Sequence, residues 1–110
     1  MTEPRLKSGI WVSAYLRRCA VANISGYVVR KGDETSGSVI VKINLLDGRA
    51  RLFVAAYDDK GERVWVPGLK DDPAAETDVD AYIGRTIARD PDAWVIEIEN
   101  RSGEPRLDGL

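Results

Sequence analysis

The chain has 110 residues and a mass of 12.1 kDa, which is the size of one domain, and we predict a single domain over 1–110 with an ordered core at about 5–100. Apolar residues make up 44% of the chain and charged residues 31%, with a net charge of −2, a balance typical of globular proteins that disfavours a dedicated nucleic-acid binder. The absence of histidine and the single cysteine exclude an internal disulfide, histidine-based nucleophile pairs and zinc sites of Cys and His. No phosphate-binding glycine motif, export segment or membrane-length apolar run occurs. We therefore expect a cytoplasmic protein without a cofactor, a metal or a membrane contact, and more in keeping with a binding protein than with an enzyme.

The beginning of the chain predicts a short strand, a helix and a second strand. Residues 5–12 are interpreted as a short strand and Ser13 as the cap of a helix with Leu16, Cys19 and Ala20 on one face. A helix that begins near Ser8 is a close alternative. A strand over 26–32 and a polar loop over 32–37 follow.

Two hairpins are predicted next, the first from strands 38–46 and 49–57 around a two-residue Asp47-Gly48 turn. A three-residue turn at 59–61 adds a further strand that ends at Pro67-Gly68. This register places apolar residues opposite each other on one face: Val39 and Ala56, Val41 and Val54, Ile43 and Leu52, Leu45 and Ala50, with Val64 and Val66 beside them.

The last third of the chain predicts a helix, a strand and a tail. The helix begins at Asp72 or Thr77 and turns an apolar stripe to the core: Val79, Tyr82, Ile83, Thr86 and Ile87. Residues 92–100 alternate as a strand, and 101–110 are interpreted as a tail. The predicted fold is α+β, an antiparallel meander sheet with two helices packed mainly on one face.

Aromatic and basic side chains fall on the other face of the predicted sheet. A helix, the tail or the first strand could cover this face. The favoured functional interpretation is a homodimer interface, with a different protein partner also compatible. A third hypothesis, a weak binder of single-stranded nucleic acid, is disfavoured by the acidic net charge. The predicted contact residues are Phe53, Tyr57, Trp65, Arg51 and Lys42, with Lys42 opposite Phe53 and Arg51 opposite Asn44.

The loop 32–37 (GDETSG) supports an alternative function, the binding or conversion of an anionic small molecule. Asp33, Glu34, Thr35 and Arg30 are its candidate ligand-binding residues, with Lys31 and Lys42 nearby. The ordinary interpretation is a polar connection whose Asp33 or Thr35 bonds the local backbone.

Three other features have an ordinary interpretation that we favour. Cys19 follows two arginines, yet a lone cysteine on an apolar stripe is typically a small buried side chain. Residues 1–57 carry a net charge of +5 and residues 58–80 one of −5, so basic and acidic segments are expected to neighbour each other in the fold. Acidic residues gather at 71–80 and again at Glu97 and Glu99; a helix start and a solvent-facing strand side account for them without a metal or catalytic site.

Several ordered segments also resemble a known family. They are GIWVSAYLRRCAVAN, RKGDETSGSVIVKINLLDG, KGERVW, DVDAYIGR and RDPDAWVIEIEN. Together they resemble a family of small uncharacterised bacterial proteins, domain of unknown function 1491, over roughly residues 5–100. The resemblance implies a single-domain intracellular bacterial protein, and it implies no activity, cofactor or catalytic residue.

Overall fold

The computed structural model describes residues 6–108, which form two helices and six strands. In chain order these are α1 (Ser8–Val21), β1 (Ser25–Arg30), β2 (Val39–Asn44), β3 (Arg49–Tyr57), β4 (Arg63–Pro67), β5 (Ala74–Ala75), α2 (Glu76–Arg89) and β6 (Trp94–Glu99). The α+β class predicted from the sequence is confirmed. Within the described residues, neither 14-residue helix has the length and apolar character that a membrane crossing needs.

The sheet has the order β1-β6-β2-β3-β4, with β5 paired to β3. Most neighbours are antiparallel, as predicted, and β6 is parallel to β2. The last strand therefore lies between β1 and β2. This insertion departs from a simple meander, in which strands adjacent in sequence would also pair.

Helix α1 begins at Ser8, so the strand interpretation of residues 5–12 is wrong and the alternative start is confirmed. Its buried face consists of Trp11, Val12, Tyr15 and Cys19. Those positions recur at intervals of three and four residues, which is the spacing that brings side chains to one face of a helix.

The turn between β2 and β3 has one more residue than predicted. The Leu45 amide donates to the Arg49 carbonyl, which leaves Leu46, Asp47 and Gly48 as the loop. Leu46 and Gly48 both have a positive φ, and the Asn44 side-chain oxygen accepts from the Leu46 amide at 2.8 Å. Lys42 therefore faces Leu52, Phe53 faces Val41, and Asn44 faces Ala50, so the predicted register is wrong by one residue.

This one-residue change moves β3 side chains to the other face of the sheet relative to β2. The sequence predicted a single apolar face, whereas both faces of the sheet are apolar in the structure. One face carries Val41, Ile43, Phe53 and Ile96 and packs against α1. The other carries Ile40, Ala50, Leu52 and Val95 and packs against Val79 and Ile83 of α2. Each helix thus covers its own face, rather than both sharing one.

The second hairpin and the last strand agree with the predictions. The second hairpin has the three-residue turn 59–61, with Val64 opposite Ala56 and Val66 opposite Val54. Strand β6 turns Trp94, Ile96 and Ile98 toward α1, as its alternation predicted. Helix α2 begins at Glu76, directly after the short strand β5, which the sequence did not predict.

The segment 101–108, interpreted from its composition as a tail, lies against the body of the protein. Leu107 is 5% exposed and belongs to the α1 cluster. Tyr15 donates its hydroxyl to the Pro105 carbonyl at 2.6 Å, and Arg51 donates to the Gly103 carbonyl at 2.8 Å. These bonds hold the segment across the face that the aromatic residues occupy.

Candidate functional site

Three of the five predicted contact residues line one cavity on the α1 face. Arg51, Phe53 and Trp65 share it with Arg63, and the segment 104–108 forms its opposite wall. The cavity has a volume of about 580 Å³. We call it the aromatic–basic pocket. The sequence allowed that the tail or a helix covers these aromatic residues. In the structure, the segment 104–108 and α1 both lie against them.

Trp65, which lines this pocket, is the first of three neighbouring aromatic rings. The Trp65 ring lies 5.1 Å from the Trp11 ring, which in turn stacks on Tyr15 at 5.2 Å. The guanidinium of Arg63 lies 5.6 Å from both indole rings, a distance at which a cation is attracted to the face of an aromatic ring. This arrangement places a positive charge beside Trp65.

The indole nitrogen of Trp65 has no hydrogen-bond acceptor among the described residues, although solvent does not reach it. A buried donor without an acceptor carries a desolvation cost that a bonded one avoids. Trp94, by contrast, donates its indole N–H to the Asp33 carbonyl at 2.7 Å. Trp65 is therefore a donor for which the pocket supplies no acceptor.

Arg51 is held in place by several partners. Two of its nitrogens donate to the two carboxylate oxygens of Asp72 at 2.9 Å each, and a third donates to the Gly103 carbonyl. Its guanidinium lies 4.7 Å from the Phe53 ring centre. The bond to Asp72 also raises the pKa of Arg51 above its usual range. Arg51 thus ties the pocket wall to the segment before β5.

Two predicted contact residues lie outside the pocket. Tyr57 is 53% exposed at the far end of β3, and Lys42 lies on the α2 face because of the corrected register. Phe53 is only 6% exposed, so its ring has no open face for a partner or a base to stack on. The five residues predicted as one surface therefore form no common exposed patch.

Lys42 is the one buried charged residue in the described chain, with 4% exposure. Its ammonium donates to Glu76 and Asp80 of α2, both at 2.7 Å, and lies 3.3 Å from Glu97 of β6. Asn44 completes the cluster by donating to Glu76 and Glu97. Burial alone would lower the pKa of Lys42, but the bonds to Asp80 and Glu76 outweigh it and hold that pKa above its usual range.

These ion pairs join the basic first half of the chain to the acidic 58–80 stretch, as do Arg51 and Asp72. The interpretation that the two segments neighbour each other in the fold is therefore confirmed. The Lys42 ammonium occupies the space between the carboxylates, and the described residues hold no group arranged to bind a metal ion.

The predicted ligand loop acts as a cap for α1. The amides of Ser8 and Gly9 donate to the carbonyls of Thr35 and Glu34, at 3.3 and 2.9 Å. The Asp33 carboxylate accepts from the backbone of the loop itself, at Thr35 and Ser36, and these bonds lower the pKa of Asp33. The interpretation of Asp33 as a residue that bonds the local backbone is confirmed.

The other candidates of that loop also have partners within the chain. Arg30 donates to the carbonyls of Pro91 and Ala93, and Glu34 pairs with Lys31 at 3.1 Å. Thr35 lines a separate cavity of about 560 Å³ at the start of α1, which Asp33, Glu34 and Arg30 do not line. The four candidates are therefore not brought together around one cavity.

Cys19 is fully buried beside Tyr15, which confirms its interpretation as a packed side chain. Burial raises the pKa of both groups, and for Tyr15 the neighbouring Cys19 raises it further. The neutral forms are therefore favoured in the folded state more than in the unfolded chain.

We expect this pair to make the fold sensitive to alkali. Below about pH 8.5 both groups are neutral in either state; above about pH 8.5 for cysteine and 10 for tyrosine, the unfolded chain loses protons that the folded chain keeps. The free energy of unfolding should therefore fall as the pH rises through this range. Urea titrations of the parent and of Tyr15→Phe check this, since the variant should lose less stability between about pH 9 and 10.5. Equal losses in the two proteins would contradict it.

Comparison with known proteins agrees with this fold. The family profile described as "Protein of unknown function (DUF1491)" matches residues 6–108. A crystal structure of a DUF1491 family protein from Caulobacter crescentus CB15 is similar, with 41% identity over 94% of this chain and 96% of that one and a TM-score of 0.86. An NMR structure of a DUF1491 family protein from that organism has 40% identity over 96% of both chains and a TM-score of 0.83.

A third solved structure extends the comparison to another organism. The solution structure of protein Atu0922 from A. tumefaciens shares 32% identity over 88% of this chain and 87% of that one, with a TM-score of 0.75. No curated protein matches the chain. The profile match over nearly the whole chain shows that this protein is a member of the DUF1491 family.

Proposed function

We propose that this DUF1491 protein is a cytoplasmic bacterial binding module that forms a homodimer, and that its contact is the outer edge of β1. The bacterial origin is supported by the organisms of its solved relatives. The face first predicted for the contact is used within the chain, since Phe53 and Trp65 pack beneath α1 and beside 104–108. The proposal therefore rests on a different surface of the same sheet.

The observation that carries the proposal is the composition of β1, an end strand of the sheet. Within residues 6–108 it pairs only with β6. Three consecutive residues of the strand, Tyr27, Val28 and Val29, are 45%, 40% and 52% exposed. An outer strand offers unpaired N–H and C=O groups to another chain, and apolar side chains beside them strengthen that association.

The opposite edge of the sheet is less suited to pairing. Strand β4 begins with Arg63 and ends with Pro67, which has no N–H to donate. Strand β1 contains no proline, and its charged residue, Arg30, lies at its end. A bulge between Val28 and Arg30 is the one protective irregularity in β1. Of the two edges, β1 is therefore the better template for a second strand.

Charges at the two ends of β1 favour an antiparallel partner. Lys31 follows the strand, and Glu99 of β6 lies beside Ser25 at its start. A two-fold axis near the middle of the strand would bring the Lys31 end of one copy to the Ser25 end of the other. Ser25 is small, so the lysine could approach Glu99 across it. Opposite charges would then meet at both ends of the contact.

We expect the parent protein to be a dimer in native mass spectrometry and in size-exclusion chromatography with light scattering. Val29→Lys should convert it to a monomer, because the symmetry places two added charges in one contact. Val64→Lys on β4 is the matched control, since it adds the same charge to an exposed valine of the opposite edge. A parent that is monomeric at about 100 μM, or a Val29→Lys variant that stays dimeric, would refute the proposal.

A further inference from the structure

The segment 101–108 is held on the α1 face in the way that binding proteins hold a peptide. Within these described residues the backbone forms neither a helix nor a strand. Burial alternates from Gly103 onward, because Gly103 and Leu107 are buried and Pro105 is partly buried, while the residues between them are exposed. Bonds to the main chain, combined with pockets for alternate side chains, are a recurring mode of peptide recognition.

The bonds that hold the segment are made to its main chain. Side chains of α1 and β3 donate to four of its carbonyls: Tyr15 to Pro105, Arg51 to Gly103, and Arg18 to both Arg106 and Asp108. We call the surface that carries these three donors the α1–β3 groove. Every residue of a peptide has a carbonyl, so these bonds do not depend on which side chains the peptide carries.

Two positions of the segment are defined by their packing. Leu107 is the apolar anchor, since it is 5% exposed within the cluster that α1 covers. Gly103 has a positive φ of 77°, and an added Cβ there would lie 3.2 Å from the Leu45 side chain and 3.3 Å from that of Arg51. A peptide with glycine and leucine four positions apart therefore meets both requirements of the groove.

The chain's own segment is an imperfect occupant of the groove. Arg106 has a φ of 58°, a backbone conformation that is unfavourable for residues with a side chain and that glycine adopts readily. The aromatic–basic pocket adjoins Pro105 and Leu107, so about 580 Å³ of space remains beside the segment. A peptide with glycine at the position of Arg106 would bind without that backbone strain.

We propose that the α1–β3 groove binds a short segment of a partner protein in place of residues 101–108, which occupy it until the partner arrives. The partner segment has the pattern Gly-x-Pro-Gly-Leu, with its leucine at the position of Leu107. Its carbonyls accept the hydrogen bonds of Tyr15, Arg18 and Arg51 that the departing segment releases. This inference does not rest on the proposed dimer, whose contact is the outer edge of β1.

The test begins by weakening the chain's own segment. Because that segment is tethered to the groove, it competes with a free peptide at an effective concentration in about the millimolar range. Leu107→Ala removes its anchor. Arg106→Pro disturbs its backbone without touching the core, since proline cannot adopt a positive φ and the Arg106 side chain is exposed. Leu46→Ala is the matched control, because it makes the same change at a leucine that is 43% exposed.

Fluorescence anisotropy measures the binding of three labelled peptides to these proteins. They are RSGEPRLD, which is the sequence of residues 101–108, RSGEPGLD, which carries the added glycine, and RSGEPGAD, which lacks the leucine. We expect RSGEPGLD to bind Leu107→Ala and Arg106→Pro at least tenfold more tightly than the parent or Leu46→Ala. RSGEPRLD should bind more weakly than RSGEPGLD, and RSGEPGAD should not bind. Circular dichroism checks that each variant is folded.

A second substitution, added to Leu107→Ala, tests whether the peptide lies in the groove. Arg18→Ala removes the donor to two carbonyls and should weaken the binding of RSGEPGLD at least fivefold. Arg17→Ala is its matched control and should leave binding unchanged, since neighbouring residues of a helix face different directions. Both arginines are exposed, so neither change removes a core side chain.

Three results would overturn the inference. The first is that no folded variant binds RSGEPGLD more tightly than the parent does. The second is that RSGEPGAD binds as well as RSGEPGLD, or that Arg18→Ala leaves binding unchanged. The third is that Leu107→Ala abolishes a dimer that Val29→Lys leaves intact, because the segment would then exchange between two copies of this chain rather than give way to a partner.

Discussion

Replacement of Lys42 by alanine is expected to lower the free energy of unfolding by about 3–5 kcal/mol. The change removes the buried ammonium of an ion-pair cluster and leaves the carboxylates around it in place. The change leaves Glu76, Asp80 and Glu97 facing each other without the ammonium that joins them. Glu97 is the most affected of the three, since its side chain is 12% exposed and cannot readily turn to water. Chemical denaturation followed by circular dichroism measures the loss.

Arg49→Ala is the matched control for this change. Arg49 pairs with Asp47 at 2.7 Å, the same length as two of the pairs in the Lys42 cluster, but its side chain is 56% exposed and that of Asp47 is 43% exposed. Exposed ion pairs contribute about 0–1 kcal/mol, so this variant should unfold almost like the parent. Equal losses of stability in the two variants would show that the Lys42 cluster does not hold α2 on the sheet.

Replacement of Gly37 by alanine is expected to destabilise the protein by about 3 kcal/mol, at the upper end of the cost of overpacking. An added Cβ would lie 2.2 Å from the Asp92 carbonyl oxygen and 2.9 Å from two backbone atoms of Asp33. All three neighbours are backbone atoms, so no side chain can move aside to make room. Since Gly37 is also bonded through its carbonyl to Ser8, the start of α1 should be disturbed as well.

Gly84→Ala makes the same chemical change, but it is expected to stabilise the protein. Gly84 lies within α2, and an added Cβ there meets no atom within 4 Å. Alanine in a helix is favoured over glycine by about 1 kcal/mol, so this variant should be more stable than the parent. Thermal unfolding of both variants checks the pair, and a Gly37→Ala protein as stable as the parent would contradict the close packing of the loop.

The approximate limits of β1, β2, β3, β4 and β6 were predictable because their alternation and turn residues are local properties of the sequence. The length of the first hairpin loop was not, since Leu46 adopts a positive φ that a leucine seldom takes and that is stabilised by its bond to Asn44. One extra loop residue reverses the face of every later side chain in the pair. Lys42 was therefore predicted among the aromatic residues, while it lies on the α2 side.

The grouping of Arg51, Phe53 and Trp65 was predicted correctly, because residues of neighbouring antiparallel strands share a face whenever their register is right. Their cover was only one of the possibilities considered, because it comes from α1 and from Leu107, which lie at least 30 residues away on either side. The partners of Lys42 on α2 were missed because they too are distant in the sequence, 34 and 38 residues away. The dense acidic stretch at 71–80 was the available signal, but its sequence does not indicate which carboxylates face the sheet.

The position of β6 between β1 and β2 has a consequence for the order of assembly. Tyr27 and Glu97, bonded across this pair, are 70 residues apart in the chain. Since β1 pairs with no other strand in residues 6–108, it cannot join the sheet until nearly all of the domain has left the ribosome. The β2–β3–β4 hairpins can form before that point. We therefore expect the earliest strand to be synthesised to be the last to be incorporated, and folding to be slower than the local hairpins suggest.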